Sequence, residues 1–333
     1  LKPVSILILF LIAAFFASCS GEAAIEKRYG YYQNIFGNQT PVSPQIDSLS
    51  KNLFLLNTIA YYDRYIYSQE GDQPGRIIRV EKVDKSASGT AVLLYASPEK
   101  NFLVTAAHVL DFPDTVNTRD GEGSLSSQSI KTEQKIYVIG LPLSGEVELI
   151  YKDAGTDLAF IGKNYFAGDL NKLNAWKFDY GSTDKLETGS FVLIGGFPRN
   201  IKMFSVGTVG VERENLRAGI YLDAVINKGS SGSIVMSRNP QGKFELVGFI
   251  KSNPADSRLI VVPGTDETDK LYSEYQPYSG ELFIEKKYDM IYGITRIIPI
   301  EDFSEIMIQS KSIFESNGYS EIFDILSDKK FYR

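Results

Sequence analysis

The chain is poor in the residues on which several kinds of chemistry depend. Its 333 residues include one histidine and one cysteine. A single cysteine cannot form an intrachain disulfide, and with one histidine beside it a zinc site of clustered His and Cys ligands is all but excluded. Any mechanism that needs an imidazole must use His108. An excess of positive charge is also missing: 35 Lys and Arg stand against 41 Asp and Glu, a formal charge of −6. Broad attraction to nucleic acid or to anionic headgroups is therefore not expected. Neither a cofactor nor a metal is expected. What is present, 43% apolar and 12% aromatic residues, suffices to bury one large core or two modest ones.

The amino-terminal stretch "LKPVSILILFLIAAFFASCSGEAA" has one cation, Lys2, then twelve apolar residues from Ile6 to Ala17, then small residues before Cys19. That is the pattern of a secretory signal, and it is short for a transmembrane helix, which needs about 20 apolar residues. "FASC" (16–19) resembles the lipobox of bacterial lipoproteins, with Phe16 where Leu is usual. The resemblance implies that Cys19 is diacylated and becomes the first residue of a chain of 333 − 18 = 315 residues. The protein would then be held by lipid to a membrane of the bacterial cell envelope, facing periplasm or exterior.

A polar, turn-rich tether runs from Ser20 to about Gln45. Ile46, Leu49, Leu53, Leu56 and Ala60 recur at steps of 3, 4, 3 and 4, which predicts a helix reaching about Ser68, broken by "QEGDQPG" (69–75). From there to residue 300 short β-rich runs alternate with turns, among them "RIIRV" (76–80), "GTAVLLYA" (89–96), "NFLVTAA" (101–107), "KIYVIGL" (135–141), "LAFIG" (158–162), "FVLIGGF" (191–197) and "GSIVM" (232–236). Many short strands at this spacing predict closed or nearly closed antiparallel barrels. Two stretches read as loops, the polar 119–134 and a long segment, about 252–290, with Tyr272, Tyr275 and Tyr278. Phe303, Ile306, Met307 and Ile313 fall at helical spacing in a final helix from Glu301 to about Ser316. The domains expected are a first barrel over 76–175, a second over 176–300 and a helical tail over 301–333.

Three places carry candidate chemistry. His108 ends an apolar run in "LVTAAHVL" (103–110), where small neighbours leave room for its ring. Asp157 leads directly into the run "LAFIG", and a carboxylate entering a buried strand needs a partner, such as a histidine N–H. "NKGSSGSIVM" (227–236) crowds three serines and two glycines into Gly229–Ser233 before an apolar strand. A nucleophilic serine needs a base within reach and backbone N–H groups aimed at the developing oxyanion. Gly229 permits a backbone conformation that turns its N–H inward, Ser231 follows two residues later, and Gly232 gives room to bend into the strand. Ser231 is then the nucleophile. The order is His108, Asp157, Ser231, with separations of 157 − 108 = 49 and 231 − 157 = 74. Chymotrypsin-type enzymes keep that order; subtilisins and α/β-hydrolases do not.

Over about residues 76–310 the sequence resembles trypsin-like serine peptidases of the bacterial HtrA/DegP branch. "TAAHV" is similar to that family's histidine motif, "DLAFI" to its aspartate motif, and "YLDAVINKGSSGS" to its serine block. "GGFPRNIKMFSVGTVG" (195–210) and "ITRIIPI" resemble further stretches of the family. The resemblance implies an all-β fold of two six-stranded antiparallel barrels with an N-terminal and a C-terminal helix, and a site in the cleft between the barrels. It also implies His108 as general base, Asp157 as its orienting group, Ser231 as nucleophile, and an oxyanion hole made by the N–H groups of Gly229 and Ser231. Ser233 stands where the second Gly is usual, Ile234 where Pro is usual, and Ser230 where trypsins have Asp. Without that Asp, a new terminal amine has no carboxylate to pair with beside the nucleophile. The 33 residues after Ile300 are too few for the PDZ domain that the branch carries, so none is expected.

The specificity wall should come from Val225 to Lys228 and from Phe249 to Ser252. Val225 and Phe249 favour a medium apolar side chain, whereas Lys228 or Lys251 would attract an acidic one; the apolar reading is preferred. The partners expected are proteins or peptides as substrates. The competing reading is a catalytically silent surface lipoprotein whose barrels and tyrosine-rich segment serve as a binding or chaperone platform. With one histidine present, an enzyme of this kind should lose activity in acid as that ring protonates, and full activity at about pH 4 would count heavily against the mechanism.

Overall fold

The protein is described here by a computed structural model covering residues 43–68, 75–119, 123–141, 145–164, 173, 175–211, 219–252, 255–263, 282–291 and 293–323. The signal-like stretch, Cys19, the tether to residue 42 and Tyr272, Tyr275 and Tyr278 lie outside these residues.

The expected helix over 46–68 is corrected. A helix, α1, spans only Ser43–Ser50, and Leu53–Tyr67 is a fifteen-residue strand, β1. The apolar spacing that suggests a helix is shared by the two elements: Leu49 is buried from α1, while Leu53, Leu56 and Ala60 are buried from β1. Within the strand, Phe54, Leu56, Thr58, Ala60 and Tyr62 all face inward, a period of two in which a polar residue takes one place. The first barrel therefore begins at residue 53, not 76.

The strands that follow are β2 (Ile77–Ala96), β3 (Lys100–Ala106), β4 (Thr115–Arg119), β5 (Leu125–Ile139), β6 (Glu146–Asp153) and β7 (Leu158–Asn164). They pair in the order β1-β2-β3-β7-β6-β5, and β5 returns to β1 to close a six-stranded antiparallel barrel, with β4 added along β5. "RIIRV" and "GTAVLLYA" are the two ends of one long strand, β2. Most of the polar stretch 119–134, read as a loop, belongs to β5; over 125–134 only Ser127 is buried and no clear inward alternation of apolar residues marks the strand, so composition hides it.

The second half contains β8 (Asp179–Tyr180), β9 (Phe191–Gly196), β10 (Met203–Val211), β11 (Tyr221–Asp223), β12 (Ile234–Arg238), β13 (Phe244–Ser252) and β16 (Thr295–Pro299). Their order β9-β10-β11-β16-β13-β12 closes through β12 and β9, giving the second six-stranded antiparallel barrel of a trypsin-like fold, and β8 lies parallel to β13. Inside the segment read as a long loop, β14 (Ala255–Pro263) and β15 (Leu282–Met290) form a separate antiparallel hairpin. The final helix is two helices, α2 (Ile300–Gln309) and α3 (Lys311–Ser316), which meet at the buried Ser310. Ile313 is partly exposed, and Phe314 takes its place in the core.

Three apolar clusters follow from strand alternation. Ala91, Leu93, Leu103, Ala159 and Ile161 fill the first barrel, and Val192, Ile194, Val209 and Val235 fill the second. Their neighbours in sequence, Val92, Leu94, Phe102, Val104, Leu158, Phe160, Leu193, Ile234 and Met236, face the other way into a seam between the barrels. Strands buried on both faces read as unbroken apolar runs, as "GTAVLL", "LVTAA" and "LAFIG" do. The seam also receives Phe303 and Phe314 from α2 and α3. It sets the ends of β3 and β7 and the loop before β12 close together.

Candidate active site

Antiparallel pairing of β3 with β7 places Ala106 opposite Leu158. The residues just beyond that pair, Ala107 and Asp157, are consequently adjacent, and the Ala107 N–H donates to the Asp157 carbonyl at 2.8 Å. His108 lies in the 3₁₀ turn Ala107–Leu110 that ends the strand. Its backbone N–H donates to Asp157 Oδ1 at 2.9 Å, and its Nδ1 lies 2.9 Å from Asp157 Oδ2. Both oxygens of Asp157, whose side chain is only 11% exposed, thus have partners. Asp157 adopts φ of 69°, a left-handed conformation that Asp tolerates better than most residues. The turn beneath it is held by Asp153, whose Oδ2 accepts from the N–H and the hydroxyl of Thr156, each at 2.8 Å.

On the other side of the imidazole, His108 Nε2 is 2.8 Å from Ser231 Oγ. Ser231 sits in a turn in which Ser230 N–H donates to Asn227 O at 3.0 Å and Ser233 N–H to Ser230 O at 2.9 Å. The buried Ser230 also accepts from Asn227 N–H at 3.3 Å, so its hydroxyl closes the turn. Two bonds with Ile250, from Gly232 N–H at 2.9 Å and to Ser233 O at 2.8 Å, tie the turn to β13. Gly229 has φ of +92° and Gly232 +83°. A Cβ on Gly229 would run into the Phe197 carbonyl, and one on Gly232 into the Thr90 carbonyl, so both positions require glycine. Lys228 O points elsewhere, accepting from Arg199 N–H at 2.7 Å. Among the described residues, the N–H groups of Gly229 and Ser231 have no protein acceptor.

Thr90, on β2 of the first barrel, is a residue that sequence reasoning missed. It is fully buried, and its N–H donates to Ser231 O at 2.8 Å. Its hydroxyl accepts from Phe197 N–H at 2.9 Å, and Gly229 O and Ser233 Oγ each lie 3.1 Å away. One hydroxyl can donate once and accept twice. The consistent assignment is donation to Gly229 O and acceptance from Ser233 and Phe197. Thr105 Oγ1 in turn donates to Thr90 O at 2.8 Å. The serine that replaces the usual second glycine is thus a partner of Thr90, in a link between the barrels.

The residues named for the specificity wall separate. Phe249 is corrected: it is fully buried in the seam, with its ring 5.5 Å from that of Phe303, and cannot line an open pocket. Val225 is 65% exposed and Lys228 is exposed. Lys251 is half-buried and lines a hollow of about 340 Å³ together with His108, Asp111, Lys152 and Ala154. Among the described residues no three His, Cys, Asp or Glu side chains converge as a metal cage would need.

No protein-family model matches the chain, and no curated protein matches it. Among solved structures, the chain is similar to the crystal structure of the serine endoprotease from Yersinia pestis, with 18% identity and a TM-score of 0.39 over 82% of this chain and 67% of that one.

Proposed function

We propose that the protein is a serine endopeptidase that works through an acyl-enzyme. The observation that carries this reading is the unbroken relay from Asp157 through His108 to Ser231, with contacts of 2.9 and 2.8 Å. Asp157 holds the ring with its Nδ1 proton facing the carboxylate, which leaves Nε2 as the acceptor for the Ser231 proton. As Oγ attacks a peptide carbonyl, that proton moves to Nε2, and the imidazolium is stabilised by the buried carboxylate. The N–H groups of Gly229 and Ser231 are the donors available to the oxyanion. When the tetrahedral intermediate collapses, His108 returns the proton to the leaving amine. Water, deprotonated by the same nitrogen, then releases the acid and restores the serine.

Labelling with a fluorophosphonate probe tests the reading. The protein is expected to label at Ser231, and Ser231→Ala to lose the label. A folded protein that hydrolyses no peptide and never labels would instead favour the silent binding platform.

A further inference from the structure

We infer that the cleft selects peptides with an acidic side chain beside the scissile residue, the carboxylate being received by Lys251. This rests on the peptidase reading above and adds a substrate class to it. The hollow of about 340 Å³ next to His108 is lined by Asp111, Lys152, Ala154 and Lys251, while Ser231 and Gly229 are not part of its wall. It therefore flanks the imidazole on the Asp157 side. The side chain it takes belongs to a neighbour of the residue being acylated, not to that residue itself.

The formal charges in the hollow balance, Lys152 and Lys251 against Asp111 and Asp157, but their contacts do not pair them evenly. Lys152 is engaged by Asp111 Oδ1 at 2.8 Å, and Asp157 is engaged by His108. Lys251, half-buried, has no hydrogen-bond or ion-pair partner among the described residues. A second hollow, of about 250 Å³, shares Lys251 and adds Arg296 against a single carboxylate, Asp302. Lys251 is thus the ammonium in this wall with no carboxylate in contact, and it is the group placed to receive an anionic substrate side chain. Among the described residues, the apolar ones around the first hollow are alanines, Ala107 and Ala154. A large apolar side chain would find little to pack against and would bury the ammonium without compensation. The apolar preference expected from the sequence leaned on Val225 and Phe249; Phe249 is buried in the seam, and Val225, though exposed, is not in the wall of this hollow.

The test compares two sets of peptides that differ only in Glu or Gln at the positions on either side of the scissile residue, with fluorophosphonate labelling measured in parallel. The Glu peptide is expected to have a kcat/KM about ten- to a hundredfold higher at one of these positions, as for a hydrogen bond to a charged group. That ratio should fall to about one in Lys251→Gln, and Lys251→Glu should favour a Lys peptide instead. A Glu to Gln ratio near one in the wild type, or one that survives Lys251→Gln, overturns the inference. So does a protein that labels but cleaves neither peptide. In these cases the peptidase reading stands, whereas absence of both labelling and cleavage overturns the two together.

Discussion

At the scale of single residues, the site depends on groups of two kinds. His108, Asp157 and Ser231, which the structure brings together, each sit in a short local pattern that the sequence displays: a ring after small residues, a carboxylate opening an apolar run, a serine between glycines. Thr90 does not, because its hydroxyl contacts lie 107, 139 and 143 positions away in the chain and nothing around it marks a polar role. It is a positioning residue, holding Gly229 O and thereby the turn on which Ser231 stands. Thr90→Val keeps the shape and removes the hydroxyl, leaving buried partners unsatisfied at a cost of about 1–3 kcal/mol. Denaturant unfolding should show that loss. On the proposed peptidase mechanism, kcat well below the unfolding transition should fall about tenfold with little change in KM, and Thr90→Ser should restore it. A variant that is less stable but has unchanged kcat would reduce Thr90 to a structural link.

At the scale of elements, strands buried on both faces show themselves in the sequence as apolar runs, whereas β1 carries a spacing that suggests a helix. Its alternating inward set contains Thr58, and the apolar residues left over fall by chance on a helical spacing shared with α1. Dense aromatic and β-branched residues over Ile59–Tyr67 were the local sign of a strand. At the other end of the described chain, the last helical residues are fastened to β3 by Lys100, whose ammonium lies 2.9 Å from both oxygens of Glu321 and also bonds Gly318 O. The hydrogen bond from Lys100 is the main reason that the Glu321 carboxyl sits below its ordinary value of 4.5. A carboxylate whose folded value is depressed stabilises the fold above its unfolded value and loses that contribution as pH falls through the folded one. The pair is partly exposed, so the effect is at most about 1 kcal/mol. Thermal melts of wild type and Lys100→Met should differ slightly at neutral pH and converge as the medium is acidified below about pH 4.

At the scale of the molecule, two barrels were legible and the seam that joins them was not, since a run such as "LAFIG" does not reveal what its outer face will meet. Phe314 touches Phe102, Phe160 and Tyr151 of the first barrel, at ring distances of 5.4, 5.0 and 5.8 Å. Phe303 reaches Phe160 of the first barrel and Phe249 of the second, at 5.9 and 5.5 Å. The helices after the second barrel therefore act on both. Phe314→Ala should cost about 3–5 kcal/mol. Calorimetry should show this as a lower melting temperature of one shared transition; a first barrel that melts separately with the second unmoved would contradict the coupling.

The seam also has a consequence for how the protein comes into being. Chains are made from the amino end and fold as their parts emerge. The turns that bear His108, Asp157 and Ser231 all leave the ribosome before Phe303 and Phe314 do. Until those rings arrive, a nascent chain exposes the aromatic side of its barrels and lacks the fastening that keeps the two halves of the cleft in register. A polypeptide halted before residue 303 would thus be sticky, in need of a chaperone, and without a properly assembled His108–Ser231 contact.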